Sequence, residues 1–128
     1  MFDKLEIFRM AQGLATHAGA RQTVIARNVA NADTPGYRAR DIADFTETYR
    51  QSDDSMALRT TRAGHIAAAD SGSRSAEVVS GHGVGEPNGN TVSLEEEMLK
   101  AAEVKSKHNL ALAVYKSSLN VLRTSIGR

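Results

Sequence analysis

Four histidines, His17, His65, His82 and His108, have the most chemistry to offer in this chain of 128 residues. A zinc site would want two of them one helical turn apart or a carboxylate beside one, and none has such a neighbour. Serine, histidine and aspartate are all present, but no nucleophile elbow or other catalytic frame surrounds them. Gly81, Gly83 and Gly85 lack the preceding strand and following helix that a phosphate cradle needs. Glu95, Glu96 and Glu97 read as the acidic first turn of a helix, not as an acid–base pair. Arg38 and Arg40 either pair with an acidic partner or stand solvated. These residues point to no enzyme, no metal centre and no cofactor, so function must lie in surfaces.

Composition narrows the classes further. The 16 basic and 15 acidic side chains leave a formal net charge of +1, without the basic excess that nucleic acid binding requires. Apolar residues make up 41%, aromatics 5%, and tryptophan is absent, which argues against a large compact core in a chain of one domain's length. Cysteine is absent, excluding disulfides and thiol catalysis. No apolar run approaches a transmembrane length. Asp3, Lys4, Glu6 and Arg9 interrupt the first residues, so no cleaved secretory signal is expected.

The elements that carry the surfaces are two long helices. Over residues 3–32, Ile7, Met10, Leu14, His17, Arg21, Val24 and Asn28 alternate steps of three and four, as a coiled-coil seam does. A second stripe, mostly small, runs beside it through Ala11, Ala15, Ala18, Ile25, Val29 and Ala32. Gly13 and Gly19 weaken this helix unless another backbone approaches closely there. The second helix opens at Ser93, with Ser93 as N-cap and Glu96 reaching back to complete a capping box. It runs to Ile126, about 50 Å, and ends on Gly127. Its seam is Leu94, Met98, Ala101, Lys105, His108, Leu112, Tyr115, Leu119, Leu122 and Ile126. Lys105 and His108 either fix register or, the favoured reading, snorkel at a partly wet contact. Leu99, Leu110, Val114 and Val121 contribute to another apolar face, and one partner helix cannot cover both. The expected fold is mainly α, an antiparallel coiled-coil hairpin of two long terminal helices with a flexible, partly extended middle. Its parts are residues 1–33, 34–92 and 93–128. Ile7, Leu14, Val24, Leu112, Tyr115, Leu119, Leu122 and Ile126 are the expected assembly interface.

Between the helices, residues 28–37 read Asn-Val-Ala-Asn-Ala-Asp-Thr-Pro-Gly-Tyr. Asn28 and Asn31 lie three apart and share a helical face. Pro35 stops the helix, and Thr34-Pro35-Gly36-Tyr37 suits a type II turn with positive φ at Gly36. Tyr37 then has a ring to bury and a hydroxyl to bond. Ile42, Phe45 and Tyr49 suggest a short helix over about 41–51, and Met56 to Thr61 an extended segment. Residues 67–92 lose periodicity and read as a flexible loop with one short strand at Val78-Val79.

This ten-residue string resembles the N-terminal signature of the bacterial flagellar rod and hook axial proteins. Gly-Asn-Thr-Val before Leu-Glu-Glu-Glu-Met, and the terminal Leu-Arg-Thr-Ser-Ile-Gly-Arg, resemble the C-terminal segment of their proximal-rod members. Leu58, Thr61 and His65 match a further family pattern, whereas the Gly/Ser-rich interior departs from it. The resemblance implies a structural rod subunit that self-assembles helically and transmits torque. It implies other rod proteins, a basal adapter and a membrane-ring protein as partners, export by the flagellar type III apparatus, and a periplasmic location in the basal body. The rival reading is a cytoplasmic helical binding module, such as an export chaperone or regulator, which leaves the ten-residue string unexplained.

Overall fold

The computed structural model describes residues 2–53, 78–80 and 85–127. The Met56–Thr61 segment, the Leu58, Thr61 and His65 pattern, His82, Gly81 and Gly83 lie outside them. The described chain is mainly helical: α1 (Phe2–Ala30), β1 (Arg40–Ile42), α2 (Phe45–Asp53), β2 (Val78–Ser80) and α3 (Leu94–Ser125).

Good helix formers and the absence of proline carry α1 through 29 residues. It stops by tightening: the Asn31 N–H reaches both the Arg27 and Asn28 carbonyls, at 3.2 and 3.1 Å, and the Ala32 N–H takes Val29. α3 starts on Ser93, whose hydroxyl accepts from the Glu96 N–H at 3.5 Å. The return half of the expected capping box does not form. Ser93 Oγ instead donates to Glu95 Oε2 at 3.2 Å, which uses the neighbouring carboxylate. At the far end Gly127 takes φ 82°, the left-handed residue past the helix.

The two long helices touch along their length. Phe8 meets the Tyr115 ring edge-on at 5.3 Å, and Asn28 bonds Glu97 at 3.0 Å. Between these points Ala18, Ile25 and Val104 form the core, with Ala101 packed against it. The buried residues repeat by sevens, Ala11, Ala18 and Ile25 on α1, Glu97, Val104 and Ala111 on α3. This keeps part of the expected seam on α1 and shifts the one on α3. On α1 both stripes contribute to the inward face: His17, Val24 and Asn28 of the expected seam are buried beside Ala11, Ala18 and Ile25, while Ile7, Met10 and Val29 are exposed. On α3 the inward positions fall one residue before Met98, Lys105 and Leu112. Apolar spacing alone could not choose between two stripes of equal period. Alanine at the contact allows the closer backbone approach.

β1 and β2 pair antiparallel, with Asp41 opposite Val79, so the Val78-Val79 pair does form a strand. α2 begins at Phe45, later than expected, because β1 occupies residues 40–42 and Asp44 caps the helix. Asp44 Oδ1 accepts from the Phe45 N–H at 3.1 Å, and its carbonyl accepts from Glu47 and Thr48. The Phe45 ring lies against Gly13, where an added Cβ would stand 3.4 Å from it. That is close to ordinary van der Waals contact, and a Cβ on Gly19 would meet nothing within 4 Å, so no close backbone approach accounts for either glycine of α1.

Candidate functional site: the junction of the helix ends

The end of α1 and the start of α3 are joined by a network of buried amides and carboxylates. Its centre is Asn28, 0% exposed. Its Nδ2 donates to the Arg40 carbonyl at 2.6 Å and to Glu97 Oε2 at 3.0 Å. Its Oδ1 accepts from the Arg40 N–H at 3.1 Å and from the Tyr37 hydroxyl at 3.3 Å. The side chain thus treats Arg40 as a neighbouring strand would, and starts β1 running back along α1.

The turn that allows this reversal is Thr34 to Tyr37. The Tyr37 N–H closes on the Thr34 carbonyl at 3.2 Å, and Gly36 has φ 74°. Those are the marks of a type II turn. Asn31 serves the turn locally: its Nδ2 donates to the Arg27 carbonyl, and its Oδ1 accepts from Thr34 Oγ1 at 3.3 Å. Pro35 is exposed.

A second turn packs on the first. The Gly89 N–H donates to the Glu86 carbonyl at 2.8 Å, with Gly89 at φ 81°. The Gly36 N–H donates to the Asn88 carbonyl at 3.1 Å, and a Cβ on Gly89 would lie 3.5 Å from Gly36 Cα. The expectation of a loose loop through residue 92 therefore fails over 85–92. Asn90, 1% exposed, is the reason. Its Nδ2 donates to the carbonyls of Asn31, Ala32 and Thr34 at 3.1, 2.6 and 3.0 Å, capping α1 from 56 to 59 residues away. Its Oδ1 accepts from the Val92 N–H at 2.8 Å. Thr91 adds two bonds, its N–H to the Tyr37 carbonyl and its Oγ1 from the Ala39 N–H.

Charges close the network. Glu97, 1% exposed, accepts from Asn28 and from Lys100 Nζ at 2.9 Å. Arg21 holds Asp41 through two bonds, at 2.8 and 2.9 Å, with Lys100 4.0 Å from the same carboxylate. Burial pushes the Asp41 carboxyl up, but the Arg21 bond, the Ile42 N–H and the charges of Arg21 and Lys100 outweigh it. The net result lies below the ordinary carboxylate value. The Arg21 bond likewise raises the guanidinium against its burial. Farther along, Lys107 joins Asp44 at 3.2 Å and Glu103 at 2.9 Å. His17 Nε2 donates to the Ala43 carbonyl at 2.8 Å, which satisfies a polar seam position. Among the described residues no buried side-chain polar atom lacks a partner. A fully satisfied buried network of this kind rigidifies the chain and fixes its direction.

Sequence reasoning found Asn28, Asn31, Thr34, Pro35, Gly36 and Tyr37, which the structure brings together. It missed Asn90, Thr91, Asp41 and the inward role of Glu97. Glu97 had a usable signal, since it stands seven residues before Val104 and fourteen before Ala111. The expected interface residues do not gather there. Val24 is buried within the chain, and Leu14, Leu119 and Leu122 are half-buried. Ile7, Leu112, Tyr115 and Ile126 are exposed, Ile126 by 77%. Lys105 and His108 line a groove of about 410 Å³ beside Ala18 and Gly19. Among the described residues no helix is long and apolar enough to cross a membrane.

Residues 9–38, which hold the turn and most of α1, match the profile of the flagella basal body rod proteins. Relatives cover nearly the whole chain. The flagellar basal body rod protein FlgB of Cereibacter sphaeroides is 33% identical over 119 residues, 88% of this chain and 92% of the relative. FlgB of Salmonella typhimurium is 33% identical over 130 residues, 93% and 92% of the two chains. FlgB of Agrobacterium fabrum is 28% identical over 128 residues, 97% and 95%. The cytoplasmic binding module is not favoured by these likenesses, and the chain belongs to the flagellar basal body rod protein family.

Proposed function

We propose that this structural subunit of the flagellar basal-body rod builds the proximal rod and carries torque through its terminal helices. In this reading α1 and α3 form one antiparallel coiled-coil hairpin, residues 1–33 against 93–128. The junction aims the 34–92 region toward neighbouring subunits. Partners are further copies of the chain, other rod proteins, the basal adapter and the membrane ring, met in the periplasm after export without a cleaved signal.

One observation carries the proposal. α3 leaves Met98, Leu99, Leu110, Leu112, Tyr115 and Ile126 exposed after α1 has been accommodated. Covering a large apolar side chain is worth roughly 1.5–3 kcal/mol, so a few such contacts hold a polymer. Leu119→Asp places a charge beside these residues, at a half-buried position, at a cost of several kcal/mol when it is buried unpaired. The variant should be exported and yet leave cells without rods or motility. Normal basal bodies in electron micrographs of this variant would refute an interface on this face.

A further inference from the structure

The second turn contains a reactive dipeptide. Of the six asparagines in the chain, Asn88 is followed by glycine, whereas the others precede valine, alanine, threonine or leucine. Glycine is the least hindered successor for attack of a backbone nitrogen on an asparagine side chain. The fold itself calls for this pair. Gly89 sits at φ 81° against Gly36, where a side chain would be strained. Asn88 supplies Oδ1 to the Asn90 N–H at 2.9 Å.

We propose that Asn88 is a deamidation site that the closed junction suppresses, and whose isoaspartate product prevents the junction from closing. The Gly89 nitrogen gives up its proton and attacks Asn88 Cγ. The N–Cγ bond forms, the Cγ–Nδ2 bond breaks, and Nδ2 departs as ammonia after taking up a proton. Water then opens the succinimide at either carbonyl, leaving aspartate or isoaspartate. In the folded chain the Gly89 N–H is held by the Glu86 carbonyl at 2.8 Å, a bond that a succinimide nitrogen cannot make. The Asn88 carbonyl is also held, by Gly36. Reaction therefore waits for local opening. Isoaspartate adds a methylene to the main chain between positions 88 and 89. That displaces Gly89 from Gly36, and Asn90 from the three carbonyls that it caps.

The experiment follows deamidation at each asparagine by peptide mass spectrometry, on the full chain at neutral pH. It compares native buffer, guanidinium chloride, and the Asn90→Ala variant in native buffer, with Asn88→Asp as the reference that cannot release ammonia. The wild-type chain should react at Asn88 at least about tenfold more slowly in buffer than in denaturant. Asn90→Ala should fall between the two. Equal rates in buffer and denaturant, or no acceleration in Asn90→Ala, would overturn the gating. Wild-type chain aged in denaturant, separated from unreacted material and returned to buffer should lack amide-exchange protection at Gly36 and Thr91. Full protection in the isoaspartate form would overturn the consequence.

Discussion

At the scale of single residues, the account rests on a few side chains that replace secondary structure. Asn28 pairs with the backbone of Arg40, and Asn90 caps α1 from the other end of the chain. Gly36 is needed for its φ of 74°, not for space, since an added Cβ there would meet nothing within 4 Å. Gly36→Val should therefore cost roughly 1–3 kcal/mol of backbone strain. Pro35→Ala should be milder, because alanine adopts the same φ and loses only pre-organisation. Motility with expression controlled gives the order of severity, and equal damage from the two would remove the turn from the account. Asp41 predicts a pH dependence. Its folded carboxyl lies below the ordinary value, so its contribution is complete above the unfolded value and is lost as pH falls through the folded one. Asp41→Asn should be less stable than wild type by roughly 1 kcal/mol at pH 7 in urea unfolding. The two should begin to converge as pH falls below about 4 and meet only below the folded value. The Thr-Pro-Gly turn was legible in the sequence because proline and glycine act through their own φ. Asn90 was not, because its three acceptors lie 56 to 59 residues away and no local pattern marks them.

At the scale of elements, both long helices could be read from periodicity and caps, while the choice of inward face could not. Each carries two stripes of the same period; burial is shared between them on α1, through His17, Val24 and Asn28 as well as Ala11, Ala18 and Ile25, and falls on Glu97, Val104 and Ala111 on α3. On the proposed reading, adjacent residues on α3 separate folding from assembly. Ala111 is 1% exposed, so Ala111→Asp buries a charge and should unfold the chain in circular dichroism melts. Leu112 is 42% exposed, so Leu112→Asp should melt within a few degrees of wild type and fail to assemble. The reverse order would mean that the inward face has been assigned one residue out of register. β1 illustrates a different limit. Residues 41 and 42 looked like the start of a helix, and became part of a strand because Asn28 and β2 supply the ladder partners that a local reading omits.

At the scale of the whole molecule, a small core of Ala18, Ile25 and Val104 holds helices that leave much apolar surface uncovered. On the proposed reading, neighbouring subunits cover this surface of the described residues. The absence of cysteine makes this directly testable, since a single introduced thiol has no background. Leu112→Cys places that thiol on the exposed face of α3, and a maleimide reads its accessibility in the purified chain and in isolated basal bodies. The account predicts rapid labelling in the free chain and protection in the assembled rod. Labelling at the same rate in both would contradict it.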